Sequence, residues 1–363
     1  MSSNGFLRQS STLWERRPLP ASSRRSLRKR WAALLGRPVE DGAVLVCGSS
    51  WDSQAYAVAT GLRRRGVPCT VLLTDDPHVR GACDPYQYSI AQTHPFRSAF
   101  LRLTSADGVP FWPDRVLFVE PELLSLSDTT QAYVQAEKVV AEAGWVSSLD
   151  CDLLVNDPLA SANAHKPRQL RLARQLGLSV PATLVSRSLR EVAVFFDRPE
   201  TPIVFKPLGA LVLDKNDSSA RIVTPTEMRI SDLSEFEPDL PTPGLFQERL
   251  PARREWRAVV VGDRVLAAAV ERTPDDAIDW RRAEGVMGAV AQRILPDPEK
   301  EAIVRLVRAL GLEYAAVDLV ETDRGLFFLE ANPDGTFWWL ERLTGLPIAD
   351  ALCRRLLSDQ EGT

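Results

Sequence analysis

Asp318, Glu330 and Asn332 are three oxygen-bearing side chains set in two apolar runs, YAAVDLVE (314–321) and GLFFLEAN (325–332). Thr322-Asp323-Arg324-Gly325 joins the runs and predicts a tight β-hairpin turn. Centred on Arg324, that hairpin sets Asp318 opposite Glu330, with Cβ atoms about 5 Å apart. Asn332 shares the face of Glu330 because side chains alternate along a strand. Two carboxylates opposed on a sheet repel, and a divalent cation relieves the repulsion while using both. Mg²⁺ suits such donors: it takes one or two carboxylates and completes its shell with water and substrate phosphates. The pattern points to a nucleotide. Taken alone, the two acids read equally well as a solvated strand residue and a strand-end charge.

Cations elsewhere bear on the choice. Lys206 interrupts the apolar strand IVFKP, where a lysine either snorkels to an edge or holds an anion. Lys166 opens the run KPRQLRLARQ, predicted helical over about 165–176, and a helix N-terminus favours phosphate through its N–H groups and dipole. Glu255 and Arg257 share one face of REWRAVVV. Each has a bland reading as a surface charge.

Several elements must bring these residues together. AVLVCGSS (43–50), a helix and a strand at 69–74 make a β-α-β opening; further strands are expected at 115–120 and 152–156, with a helix near 129–143 between them. Gly48-Ser49-Ser50 falls short of a dinucleotide fingerprint. After 157 come the Lys166 helix, a strand following Pro181, the Lys206 strand and a mobile hairpin or loop over 208–222. A Pro-rich link (238–243) leads to GLFQERL and to a hairpin turning on Gly262-Asp263. A helix over 298–310 precedes the acid-bearing hairpin, and a Leu-rich helix closes the chain.

Composition narrows the class. At 363 residues, 45% hydrophobic and 25% charged, the chain has an ordinary globular make-up, and no run reaches the length of a membrane span. No signal peptide is expected, because the basic start lacks an apolar stretch. Five scattered cysteines without a CxxC pair suggest reduced structural thiols in a cytoplasm and argue against zinc; three histidines leave little for a His-based site. The net charge of −4 divides into about +7 over residues 1–40 and about −11 over the remaining 323. That is a basic tail on an acidic body, which does not suggest nucleic-acid or membrane binding. Leu27, Trp31, Leu34 and Leu35 fall at helical spacing within the tail, so it reads either as a solvated extension or as a docking element for a peptide, a partner or the body itself. Its deletion is expected to spare nucleotide binding.

The order Lys166, VFKP with Lys206, FQERL with Gln247-Glu248, EWR with Glu255 and Arg257, VDLV with Asp318 and LEANP with Glu330 and Asn332 resembles the ATP-grasp fold over about residues 150–357. Within it the chain looks most like the graspetide synthetases, the microviridin-type peptide maturases. The carrying stretches are VNDPLASANAHKPRQLRLARQLGLSVPATLVS, FQERLPARREWRAVVVGDRV, DWRR (279–282) and FLEANPDGTFWWLERLTGLPI. The resemblance implies an α/β chain of three lobes with nucleotide between the last two. The divisions are a basic extension (1–42), an N-terminal α/β domain (43–155), a central lobe (156–242), a C-terminal lobe (243–358) and a tail (359–363).

The resemblance further implies that Lys166 and Lys206 contact ATP phosphates beside Gln247. The backbone of Glu248, Arg249 and Leu250 would read adenine, and Glu255 the ribose. Asp318, Glu330 and Asn332 would hold Mg²⁺, with Arg257 and Arg281 near the phosphates or an acyl phosphate. The loop near Gly209 would cover the nucleotide, although no dense glycine cluster follows Lys206; the basic extension is likewise not a family feature. The implied reaction closes ester or amide crosslinks in a precursor peptide with a leader and an acidic core, carried out by a homodimer. A ligase of the same fold acting on free amino acids, small peptides or a protein tail is the alternative, and a non-catalytic ATP-binding regulator a second. Trp339 and Leu340 read as core; Trp338 reads as core or as groove lining. Asp318→Ala or Glu330→Ala is expected to remove turnover and leave the fold largely intact.

Overall fold

The structure is a computed structural model. It describes residues 31, 42–49, 52–73, 96–102, parts of 130–149, 151–197, 202–208, 212–213, 221–222, 225–235, 239–272 and 289–358. The expected strand at 115–120, Gly209 and Arg281 lie outside the described residues.

The N-terminal lobe is a parallel sheet in the order β2-β1-β3-β4, formed by β1 (Val44–Gly48), β2 (Cys69–Leu73), β3 (Ser98–Leu101) and β4 (Leu153–Val155). Strand β1 is buried on both faces, which is why VLVCG is apolar throughout. Helix α1 (Ser53–Arg64) links β1 to β2, and Asp52 caps it by accepting from the N–H groups of Gln54 and Ala55. Strand β3 is not foreseen by the sequence reading.

After β4 come α2 (Pro158–Asn163) and α3 (Lys166–Gln175). The central lobe follows: β5 (Thr183–Ser188), α4 (Leu189–Phe196), β6 (Pro202–Lys206), the two-residue strands β7 (Val212–Leu213) and β8 (Arg221–Ile222), β9 (Thr226–Arg229) and β10 (Asp239–Glu248). Its antiparallel sheet runs β5-β10-β6-β9, and β7 pairs antiparallel with β8. The Pro-rich link is corrected here. Residues 239–248 are one strand, and Pro241 and Pro243 sit where its pairing with β5 is interrupted between Asp239 and Gly244. The boundary expected at 242/243 therefore falls inside a central-lobe strand.

The C-terminal lobe is a five-stranded antiparallel sheet, β13-β12-β11-β14-β15, from β11 (Arg254–Val261), β12 (Arg264–Glu271), β13 (Ala291–Gln292), β14 (Tyr314–Thr322) and β15 (Gly325–Asn332). Helix α5 (Asp297–Ala309) packs on one face with Trp256, Ala258 and Val260. The other face, carrying Val259, Val261 and Tyr314, shares a core with the N-terminal lobe, Phe337, α6 (Trp338–Thr344) and α7 (Ile348–Leu357). Alternation along β11 therefore feeds two cores from one strand.

Trp31 belongs to that shared core. It is helical and fully buried, with its ring edge-on to Tyr56 at 5.2 Å between centroids. At this residue the solvated-tail reading is corrected in favour of docking on the body. Cys69 and Cys353 are buried as well, and burial pushes their thiols up to about 12 and about 11. Both are expected to resist iodoacetamide in the native protein at neutral pH and to react once it is unfolded, which peptide mapping would read.

Among the described residues no helix is long and apolar enough to cross a membrane.

Candidate active site

Strands β14 and β15 meet in a hairpin whose register holds a surprise. Thr322 pairs with Gly325, so the turn is the two residues Asp323-Arg324, and on that register Asp318 would face Leu329. An irregularity between Asp318 and Leu319 inserts one residue into β15 and restores the pairing of Asp318 with Glu330. The expected opposition is present, but a bulge produces it and not a turn centred on Arg324. Without the extra residue Glu330 would point to the other face of the sheet.

Along β14 the residues of this face run Tyr314, Ala316, Asp318, from beneath the N-terminal lobe outward. Arg257 of β11 lies directly across from Asp318 and donates from Nη1 to Oδ1 at 2.7 Å. Lys166 Nζ stands 3.8 Å from Glu330 Oε2 and 3.4 Å from the carbonyl of Pro207. The protein's own cations thus offset much of the repulsion that the sequence reading assigns to a metal.

Helix α3 is placed for this by Gln169, a buried side chain absent from the sequence reading. Its amide donates to the carbonyl of Ala331 at 2.8 Å and accepts from the N–H of Ala331 at 2.8 Å. Gln169 therefore completes the edge of β15 between Glu330 and Asn332 and holds Lys166, three residues earlier, beside the acids.

Lys206 approaches from the central lobe. Its Nζ donates to Gln247 Oε1 at 2.7 Å, and Gln247 Nε2 donates to Thr183 at 3.0 Å. Burial lowers the Lys206 pKa and neighbouring Lys166 adds to the lowering, while Glu330, Asp318 and Glu255 act in the opposite sense. An ammonium drawn from water beside two carboxylates and a second lysine is arranged to receive an anion. Gln247 orients that lysine.

The other implied residues are engaged within the protein. Glu255 pairs with buried Arg272, Nε to Oε1 at 3.1 Å. Glu248 pairs with Arg324 of the hairpin tip at 2.6 Å, bridging the central and C-terminal lobes. The backbone N–H groups of Glu248 and Arg249 donate to Ala182 and Pro202. Leu250 joins Val320 and Phe327 in a small apolar cluster.

Asn332 opens the turn Pro333-Asp334-Gly335, and its Oδ1 accepts from the Asp334 N–H at 3.1 Å. Gly335 is needed for close approach: a Cβ there would lie 2.3 Å from Ala316 Cβ and 2.9 Å from Arg257 Nη2. Past the turn, Phe337 and Leu340 are buried; Trp338 and Trp339 are half-buried, Trp339 donating to the carbonyl of Thr336. Phe337, which the sequence reading passes over, is the aromatic residue fully in the core.

Among the described residues no group of three or more His, Cys, Asp or Glu side chains is spaced to hold a metal. Two carboxylates and an amide oxygen are a hard but partial donor set, which suits an ion that brings phosphate and water ligands with it.

Comparison with known proteins bears on the family. Residues 163–356 match the model of the RimK-like ATP-grasp domain, which is more than half of the chain. The protein belongs to that family. The probable alpha-L-glutamate ligase of Mannheimia succiniciproducens is 28% identical to this ATP-grasp chain over 236 residues, 59% of the chain and 74% of that protein. The ribosomal protein bS6–L-glutamate ligase of Escherichia fergusonii is 25% identical over 203 residues, and the chain spans 66% of its length, just short of two thirds.

Solved structures extend the likeness over the N-terminal lobe. The macrocyclase MdnC of Microcystis aeruginosa MRC, bound with precursor peptide MdnA, aligns with a TM-score of 0.68 at 22% identity, over 87% of this chain and 100% of that one. The Chryseobacterium gregarium RiPP-associated ATP-grasp ligase, in complex with ADP and a leader and core peptide, aligns at 0.73 and 18% identity, over 87% and 97%. PsnB with a phosphomimetic variant of its minimal precursor, Mg and ADP aligns at 0.62 and 22% identity, over 88% and 99%. These likenesses establish the ATP-grasp fold expected from the sequence.

Proposed function

We propose that the protein is an ATP-dependent ligase that activates Asp or Glu side chains of a ribosomal precursor peptide and joins them to Ser/Thr hydroxyls or a Lys amine, closing macrolactone or macrolactam rings. The observation that carries this reading is the meeting of Lys166 and Lys206 with the Asp318–Glu330 pair. A carboxylate is a poor electrophile because its leaving group would be oxide. Transfer of the ATP γ-phosphoryl group to it gives an acyl phosphate; a hydroxyl or amine attacks the carbonyl, and phosphate leaves with the former carboxylate oxygen. Lys166 and Lys206 would neutralise the transferring phosphoryl group, with Arg257 beside Asp318. Asp318, Glu330 and Asn332 would hold Mg²⁺, which when bound supplies further charge neutralisation there.

The remaining assignments belong to the same proposal. With two N–H groups already bonded, adenine recognition along Glu248–Leu250 falls to the carbonyls and the Leu250 N–H. Glu255, steadied by Arg272, would face the ribose, and Arg281 would add to the phosphate site. Cytoplasmic location and a homodimer complete it. A second reading, addition of glutamate to a protein or small-molecule acceptor, is favoured by the curated glutamate ligases at 25–28% identity.

Intact-mass analysis separates the readings. A precursor peptide with a leader and an acidic core, incubated with enzyme, ATP and Mg²⁺, is expected to lose one water per ring. An unchanged peptide, with glutamate consumed when an acceptor is supplied, would move the assignment to a glutamate ligase. In the same assay Gly335→Ala is expected to lower kcat by about 10²-fold, because a shift of about 1 Å in Arg257 suffices for such a loss. Wild-type kcat in that variant would show that the turn can yield without disturbing Arg257.

A further inference from the structure

In open parallel sheets, ligands bind outside the carboxyl ends of the strands, where the strand order reverses. The N-terminal lobe has such a point: β1 is flanked by β2 on one side and by β3 on the other. What fills the crevice here is the protein's own Asn332–Phe337 segment. Arg102, the residue after β3, pairs with the α1 cap Asp52, Nε to Oδ2 at 3.1 Å, and both side chains are buried. Its Nη1 donates to the carbonyl of Asp334 at 2.8 Å. Gln54 Oε1, in the first turn of α1, accepts from the N–H of Phe337 at 2.6 Å. Asn156, after β4, donates to the carbonyl of Pro333 at 3.0 Å. From below, the Tyr314 hydroxyl donates to the carbonyl of Gly335 at 2.5 Å. Four carbonyl and N–H groups of one turn are thus fixed by side chains, three of them from the N-terminal lobe or its exit.

The consequence reaches the site. Arg102 fixes the carbonyl of Asp334, and the N–H of the same residue donates to Asn332 Oδ1. Thr336, between the fixed Gly335 and Phe337, offers its carbonyl to Arg257 Nη2 at 3.5 Å. We infer that Arg102 is a positioning residue for metal and phosphate binding, through which the N-terminal lobe sets the Asn332 amide and the Arg257 guanidinium. The inference rests on the reading of Asp318, Glu330 and Asn332 as metal ligands.

Mn²⁺ serves as the probe, titrated by electron paramagnetic resonance into full-length protein with ADP, well below the unfolding temperature. Wild-type protein is expected to bind the ion. Arg102→Gln is expected to bind it up to about tenfold more weakly, at the low end of the loss seen when a ligand's direct outer partner is removed, because Arg102 reaches Asn332 only through the Asp334 backbone. Because that variant leaves Asp52 buried without its cation, Asp52→Asn/Arg102→Gln is measured beside it; Asn keeps the helix cap and removes the Asp52 charge, so that of the two acids facing Arg102 only Asp334 is left. A fold defect alone would lower the amplitude and leave the affinity of the folded fraction unchanged. Wild-type affinity in the folded variants overturns the positioning role, whereas failure of the wild-type protein to bind Mn²⁺ overturns the metal-site reading beneath it.

Discussion

Glu330→Gln is expected to reduce ATP-dependent product formation by more than about a hundredfold, with an unchanged thermal midpoint. Outer partners of metal ligands already cost about 10–100-fold, so a direct ligand should cost more. The fold should tolerate the change because Glu330 is partly exposed and its partner Lys166, also partly exposed, can turn to water. Asp318 behaves differently: Asp318→Ala is expected to cost stability as well as turnover. Its partner Arg257 has a side chain only 7% exposed, so Asp318→Ala strands a buried guanidinium. Breaking a buried pair from one side costs about 3–5 kcal/mol. Asp318→Asn keeps an acceptor for Arg257 and is the variant in which lost turnover can be separated from lost stability. Activity near wild type in Glu330→Gln or Asp318→Asn would remove the metal assignment.

Trp31→Ala is expected to destabilise the protein by about 3–5 kcal/mol, the usual cost of deleting a large buried aromatic side chain. The ring is fully buried and meets Tyr56 edge-on in the core where the N-terminal and C-terminal lobes join. Deleting residues 1–40 removes the same ring, so truncation is expected to lower the denaturation midpoint and to affect nucleotide binding through stability, contrary to the simple tail reading. An unaltered midpoint in both proteins would return residue 31 to solvent.

The parts of the site that are close in sequence were legible there. Asp318, Glu330 and Asn332 sit on one hairpin, and alternation along its strands is enough to put them on one face. The bulge that makes the pairing work was not legible, because nothing in GLFFLEAN marks an extra residue. Arg257 was on the right strand, but its position across from Asp318 depends on β11 pairing with β14 across more than fifty intervening residues. In sequence Gln169 is one polar residue of an amphipathic helix, and only the folded chain brings it to the backbone of Ala331. Arg102 and Asp52 are fifty residues apart and meet only because β3 lies beside β1. Local pattern gives the chemistry of a segment; long-range pairing decides which charges are offset and which are left for a ligand. The same holds for Trp31, whose helical spacing was clear and whose burial was not.

In the proposed reaction a carboxylate is activated by phosphoryl transfer between the two lysines and the acid pair. The most direct test uses peptide substrate labelled with ¹⁸O in its Asp and Glu carboxylates, turned over with ATP and Mg²⁺. An acyl phosphate attacked at carbon passes one carboxylate oxygen to the departing phosphate. The account therefore predicts one ¹⁸O in inorganic phosphate for each bond formed, with ADP unlabelled. Label appearing in AMP, or product formed with unlabelled phosphate, would contradict it.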